Sequence, residues 1–249
     1  MAILPRVPLT PITVPLLTTV ETVRVCAPTI VEAALGKVER EVCDRRLEDW
    51  AETAVRLARI DLTRSGLEHI REGQTYIVMS NHQSTYDIFV MMHVFPRTLR
   101  MVSKIEMFRI PILGQAMYAA EFVALDRADH SKARAGLDFA KDKLQSGVNV
   151  WIAPEGTRSP TGELLPFKKG GFMMSLQTGV PVLPATIVGT RDVLRSKGVR
   201  VHTGQKVSVQ FHAPVHPNDF GHDGREEFMN VVQGRIASGL PEPLRPRAR

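Results

Sequence analysis

Cysteine is scarce in this chain, with Cys26 and Cys43 alone among 249 residues. Two thiols cannot form the multi-bridge framework that staples small secreted domains, so a reduced, cytoplasm-facing setting is the default. His202, His212, His216 and His222 gather late in the chain, but at no spacing that matches an established zinc pattern, and they read as surface or structural residues. Aromatic residues make up 6%, too few for a base-stacking surface, and no nucleic-acid motif is present. The net charge of +6 and the pI near 9.6 therefore point to an anionic partner of another kind. No Gly-x-Ser-x-Gly elbow appears, which counts against a serine esterase or lipase, although Ser84 and Ser159 supply hydroxyls in principle. Long apolar runs are missing as well. Met1–Val20 carries one charge, Arg6, but Pro5, Pro8, Pro11 and Pro15 interrupt it, and a spanning helix needs about 20 consecutive apolar residues. The positive n-region and the small-residue cleavage site of a signal peptide are also lacking. There is no internal repeat and no low-complexity linker.

What is present centres on Asn81-His82-Gln83-Ser84-Thr85-Tyr86-Asp87, directly after the strand-like run Tyr76–Met79. Ser80 and Asn81 read as helix caps, and Ile88, Phe89, Met91 and Met92 fit the helix that follows. Positions five apart on a regular helix lie roughly 140° from each other. His82 and Asp87 can therefore meet only if His82 sits ahead of the first full turn, at a strand-to-helix corner. An imidazole oriented by a carboxylate is a general base suited to neutral pH. Taken alone, a capping Asn, a surface His and a solvated Asp would be the commoner meaning of this stretch.

Other groups alter that weighting. Ala153-Pro154-Glu155-Gly156-Thr157-Arg158-Ser159 follows a second apolar run, Val148–Ile152, and packs a carboxylate, a glycine, two hydroxyls and a guanidinium into one turn. Gly156 permits close backbone approach to a ligand, and Arg158 can bind a phosphate or carboxylate through two parallel bonds. The ordinary alternative is a polar turn with a surface arginine. Lys168 and Lys169 fit a solvated turn as well as a ligand contact. Lys104 follows the apolar Leu99–Val102 segment, and Arg127 ends the strand-like Glu121–Asp126 run. Gly179–Ile187 is apolar and punctuated by Pro181 and Pro184; it reads as the wall of a site that donates no chemistry.

The order of these blocks, His-x4-Asp, a Lys-x-Glu segment, a strand ending in Asp-Arg, Glu-Gly-Thr-Arg-Ser and Val-Pro-Val-x-Pro, resembles the glycerolipid acyltransferases of the 1-acylglycerol-3-phosphate acyltransferase type. The resemblance runs from about Gln74 to Thr190. It departs from the family pattern at Ala119-Ala120, where a glycine is usual, and at Pro154, where phenylalanine is usual. The resemblance implies that His82 is the general base and that Asp87 orients it. It implies that Arg127 and Arg158, with Lys104, hold the acceptor's phosphate, and that Glu155, Gly156 and Thr157 shape the same pocket. It further implies acyl transfer to lysophosphatidate, in phospholipid biosynthesis, from the thioester of acyl-CoA or acyl carrier protein, with no cofactor, metal or protein nucleophile. The acceptor alternatives are glycerol 3-phosphate, another lysophospholipid or a glycolipid. A non-catalytic lipid-surface binding module is the reading from a different class.

Apolar strand-like runs at Thr75–Met79, Leu99–Val102, Phe122–Leu125, Val148–Ile152 and Val182–Val188 alternate with helical stretches such as Lys132–Gln145. That alternation predicts an α/β fold, a central sheet covered by helices, over residues 61–240. Residues 1–60 form an N-terminal extension, helical from Ile30 to Ile60 and studded with Arg40, Arg45, Arg46, Arg56 and Arg59. Such a basic amphipathic segment suits docking on an anionic membrane surface, peripheral or monotopic, on the cytoplasmic face. Met107, Phe108, Ile110, Pro111 and Ile112 form a second candidate insertion patch, and residues 241–249 a basic tail. The oligomeric state is left open.

Overall fold

The computed structural model describes residues 9–126, 130–221 and 224–246, with the side chains of 130–134 outside the description. Arg127 and His222 therefore lie outside the described residues, as do the ends of the apolar N-terminal segment and of the basic tail.

Two helices come first, α1 (Thr13–Ala34) and α2 (Arg40–Leu57). Then follow β1 (Asp61–Ser65), β2 (Ile77–Ser80), α3 (Tyr86–Val94), β3 (Leu99–Lys104), α4 (Leu113–Ala119), β4 (Val123–Leu125), α5 (His130–Gln145) and β5 (Asn149–Ile152). The chain continues through α6 (Gly170–Thr178), β6 (Val182–Val188), α7 (Thr190–Val193), β7 (Lys206–Phe211) and α8 (Arg225–Ser238). The strands form one seven-stranded sheet in the order β1-β7-β6-β2-β5-β3-β4. Every neighbouring pair is parallel except β6–β7. Five strands thus run one way, and β6, β2, β5, β3 and β4 all end at the same edge. The sequence expects those five. It does not expect β1 and β7, because β1 is polar and mostly exposed and gains its strand character by pairing with β7.

The central strand β2 is buried on both faces, as parallel strands between helical layers are. Tyr76 and Val78 face the core under α2 and α3, with Trp151, Leu183 and Ile187. Ile77 and Met79 face the opposite core, with Val150, Phe172, Val182 and Phe228.

The expected helical run from Ile30 to Ile60 is two helices, and the first begins at Thr13. Gly36, in the left-handed region at φ 65°, ends α1. The prolines do not prevent this helix. Pro15 lies in its first turn, where the missing N–H has no partner to lose, and Pro28 forfeits one bond within it. Thr18, Thr19, Thr22 and Thr29 return their hydroxyls to carbonyls of the preceding turn, which hides polar groups within the helix. At 22 residues, α1 is long and apolar enough to cross a membrane. Its exposed face carries Ile12, Leu16, Val20, Val23, Val31 and Leu35 in a continuous helical stripe.

Ion pairs tie these helices to the sheet. Arg46 of α2 donates two bonds to Glu32 of α1, at 2.6 and 2.7 Å. Arg40 donates two to Glu121, at 2.7 and 2.9 Å, and Lys143 of α5 adds a third at 2.6 Å. The Arg40 bonds above all, helped by Lys143, hold the Glu121 carboxyl down at about 2. Arg100 on β3 is 1% exposed and pairs with Asp44 at 2.6 Å. Two of the five arginines expected to face a membrane, the exposed Arg40 and the half-buried Arg46, are thus ion-paired within the protein. Phe108 of the second candidate patch is buried, whereas Met107, Ile110 and Ile112 are exposed.

Removing one partner of a buried pair leaves an uncompensated charge, so Arg100→Ala should destabilise by about 3–5 kcal/mol. Arg40, with 39% of its side chain exposed, makes a screened pair, and Arg40→Ala should cost about 1 kcal/mol or less. Urea denaturation of both variants measures the difference, and equal, small losses would show that burial of Arg100 carries no stability.

Candidate active site

The site forms where β2 hands over to α3. Five residues separate the last strand position, Ser80, from α3 proper, and His82 lies among them, ahead of the first helical turn. From there its Nδ1 meets Asp87 Oδ2 at 2.7 Å. Asp87 is fully buried. The same Oδ2 accepts the backbone N–H groups of Gln83 and Ser84, at 2.7 and 2.9 Å. Its Oδ1 accepts the Thr190 hydroxyl at 2.5 Å. With Nδ1 donating to this carboxylate, Nε2 is left as the ring nitrogen able to take a proton. Trp151 on β5 packs against the imidazole at 6.3 Å in an edge arrangement and donates Nε1 to Ser80 Oγ at 3.0 Å.

Neither expected cap works as a cap. Asn81 exchanges two 2.8 Å bonds with the backbone of Ile187, riveting the loop to β6. Asp87 and the Ser84 hydroxyl satisfy the free N–H groups before α3 in its place.

Glu155 also departs from expectation. It is 3% exposed and turned inward: its Oε1 accepts the His82 N–H at 2.6 Å and its Oε2 the Leu165 N–H at 2.9 Å. Ser159 N–H returns to the His82 carbonyl at 2.7 Å. The 155–159 turn therefore grips the backbone of the base from both sides, and Glu155 is no pocket wall. Burial pushes its carboxyl up to about 8, against the pull of the Leu165 and His82 N–H bonds, with the Asp87 charge adding to the rise.

Gly156, Thr157 and Arg158 do line the cavity beside His82. Gly156 has φ 74°, the left-handed conformation that lets the turn reverse after Glu155. Arg158 donates Nη1 to Thr85 Oγ1 at 2.7 Å, a neutral partner, and among the described residues no carboxylate pairs with its guanidinium. Lys104, at the end of β3, lines the same cavity. Arg127 lies outside the described residues.

The cavity has a volume of about 820 Å³. Of its lining residues, Lys104 and the unexpected Lys197 are exposed and His82, Arg158 and Ser196 half-buried, which sets these five toward its mouth. Val25 of α1, Phe89 of α3 and Met117 of α4 are buried and, with Met101 of β3, give it an apolar depth. The N-terminal helices are thus a wall of the site rather than an appendage. Neither serine of the hydrolase alternative reaches it. Ser84 Oγ donates to Leu194 O at 2.7 Å, and Ser159 Oγ accepts the Gly162 N–H at 3.0 Å; both residues are buried. Sequence reasoning missed Thr190, Trp151, Thr85 and Lys197. Thr190 lies two residues past β6, whose segment was expected to donate no chemistry, and nothing local marks it as a partner of Asp87.

A model of the Acyltransferase family matches residues 61–188. A 1-acyl-sn-glycerol-3-phosphate acyltransferase of Cocos nucifera is 31% identical over 171 residues, covering 68% of this chain and 55% of the relative. The human 1-acyl-sn-glycerol-3-phosphate acyltransferase alpha is 35% identical over 141 residues, covering 56% and 50%. The crystal structure of the 1-acyl-sn-glycerophosphate (LPA) acyltransferase PlsC from Thermotoga maritima superposes with a TM-score of 0.75 at 28% identity, over 94% of this chain and 98% of that one. This chain belongs to the acyltransferase family. It spans about half the length of the curated relatives it matches.

Because the folded-state value for Glu155 lies above the ordinary 4.5, its contribution to stability is full below about 4.5 and is lost as pH rises toward 8. The wild type should therefore lose Tm between pH 5 and 8 more steeply than Glu155→Gln, which cannot titrate. Thermal melts across that range test this, and parallel slopes would exclude Glu155 as the titrating group.

Proposed function

We propose that this protein transfers a fatty acyl chain from a thioester donor to the free hydroxyl of lysophosphatidate. One observation carries the reading: an oriented imidazole stands at the junction of an apolar cavity and a cationic mouth. Apolar lining suits hydrocarbon. Uncompensated lysine and arginine suit phosphate. The relatives are 1-acyl-sn-glycerol-3-phosphate acyltransferases, which favours 1-acylglycerol 3-phosphate as acceptor over glycerol 3-phosphate or a glycolipid.

His82 Nε2 takes the proton of the acceptor hydroxyl as that oxygen bonds to the thioester carbon. Asp87 stabilises the imidazolium formed. Collapse of the tetrahedral intermediate breaks the C–S bond, and the imidazolium returns its proton to the departing sulfur. The products are an ester and a free thiol, and no protein nucleophile is consumed. Arg158 and Lys104 hold the acceptor phosphate, with Arg127 as a further contributor. The dyad also argues against an inert lipid binder, which has no use for a buried carboxylate behind a histidine.

Labelled acyl-CoA supplied with and without lysophosphatidate is the decisive assay. Thiol release should require the acceptor; release without it would mean hydrolysis, and no release would mean a binder. His82→Ala should lose ~10²–10⁴-fold in kcat, and Asp87→Asn should be severe as well. Arg158→Ala should mainly raise the acceptor KM, with poor rescue by lysine.

Membrane association follows from the same chemistry, since the acceptor resides in a bilayer. The stripe from Ile12 to Leu35 is roughly 33 Å long at 1.5 Å per residue and lies beside a cavity that opens for lipid. Because α1 also walls that cavity, point changes test docking better than truncation. Leu16→Glu with Val20→Glu should weaken co-sedimentation with anionic vesicles while sparing activity on a short-chain soluble acceptor. Unchanged vesicle binding would move the docking surface to Met107, Ile110 and Ile112.

A further inference from the structure

The sheet order sets the cations around the base in a definite arrangement. Along the shared edge the strands come as β6, β2, β5, β3. His82 follows β2 and Arg158 follows β5, so base and guanidinium are central. Lys104 closes β3 and occupies one flank. The opposite flank belongs to the chain leaving β6, which turns at Gly189 (φ 94°), passes through α7 and makes a tight turn over Arg195–Gly198. That turn brings Ser196 and Lys197 to the cavity wall.

The turn is braced on both sides. Gly198 N–H closes onto the Arg195 carbonyl at 2.8 Å. The Ser84 hydroxyl, from the loop of the base, holds the Leu194 carbonyl at 2.7 Å. Beyond the turn, Val201 N–H donates to Pro11 O at 3.1 Å and His202 N–H to Val193 O at 2.8 Å. Arg191 reaches across to the Pro160 carbonyl at 3.2 and 3.3 Å, joining this segment to the Arg158 turn. Lys197 therefore has a fixed anchor, although its side chain is exposed. Arg46, which also lines the cavity, is neutralised by Glu32, whereas among the described residues neither Lys104 nor Lys197 has a carboxylate partner.

Resting on the acyl-transfer reading above, the reaction brings two phosphate-bearing molecules to one imidazole. Their phosphates repel, so a single cation set serving both would lose much of its attraction. Two flanks on opposite sides of the base remove that conflict. We infer that the Ser196–Lys197 turn binds the phosphate of the donor's phosphopantetheine arm, while Arg158 and Lys104 hold the phosphate of the acceptor. The arm is common to acyl-CoA and acyl carrier protein. It must leave the cavity at the mouth while the acyl chain points inward, and Lys197 stands at that exit.

The test uses the full chain, a short-chain soluble lysophosphatidate and three donors: acyl-CoA, acyl carrier protein and acyl-pantetheine, which has no phosphate. Lys197→Ala should raise the KM for acyl-CoA and for acyl carrier protein about tenfold, and Lys197→Glu should raise it further. Lys197→Arg should restore it. The acceptor KM should stay within about twofold, and the KM for acyl-pantetheine should not respond to any of the three variants. Arg158→Ala should show the converse pattern, with the acceptor affected. A rise confined to acyl-CoA would reassign Lys197 to the nucleotide phosphates and overturn the inference. So would an equal rise with acyl-pantetheine, a rise in acceptor KM, or an unchanged donor KM accompanied by lost vesicle binding, which would make the turn a membrane contact. Failure of the wild type to transfer any acyl group would instead overturn the proposed function, and is read independently of Lys197.

Discussion

The Asp87 carboxylate gathers four donors around one buried side chain: the His82 ring, two backbone N–H groups and the Thr190 hydroxyl. Those bonds do three things together. They satisfy the free N–H groups ahead of α3, set the tautomer of the base and tie the end of β2 to the segment beyond β6. A lone carboxylate in that position would be costly to bury; with every bond made it becomes the most constrained point of the site. Glu155 completes the constraint from the other side by holding the His82 backbone, so the base is fixed by one carboxylate through its ring and by another through its main chain.

Around this fixed point, polarity is partitioned. Charges away from the cavity mouth, at Arg40, Arg46, Arg100 and Lys143, are matched by Glu32, Asp44 and Glu121. Among the described residues, charges at the mouth of the cavity face neutral partners or solvent. A matched cation attracts an incoming anion weakly, and an unmatched one strongly, so the partition defines the end of the cavity at which a phosphate would settle. The apolar depth is shared between the sheet domain and the two N-terminal helices, which couples the exposed stripe on α1 to the acyl-sized space behind it. The exposed apolar surface and the apolar wall of the cavity are then two faces of one helix pair.

The sequence was most informative where chemistry and local geometry coincide. The five strands that carry the catalytic edge, the corner position of His82 and the Gly156-Thr157-Arg158 turn are readable because apolar runs and turn residues sit beside the functional groups. Readings failed where a polar side chain had more than one use. Asn81 looks like a cap and is a rivet; Glu155 looks like a pocket wall and is a strut. Arg40 and Arg46 look like membrane anchors and are ion-paired to Glu121 and Glu32. Pro15, one of the prolines that seemed to interrupt a helix, is accommodated in the first turn of α1.

Residue identity by itself determined the set of candidate groups, the alternation that yields an α/β sheet and the net positive charge, since each depends on side-chain type and near-neighbour spacing alone. Tertiary structure decided which groups touch. Thr190 lies 103 positions from Asp87, Glu155 lies 73 from the His82 amide it binds, and Arg40 lies 81 from Glu121. Strand order, rather than spacing in the chain, put His82, Arg158 and Lys104 at one edge of the sheet. The physical reason is that a hydrogen bond or an ion pair is specified by position in space, and a chain reveals such positions only after its sheet has chosen an order.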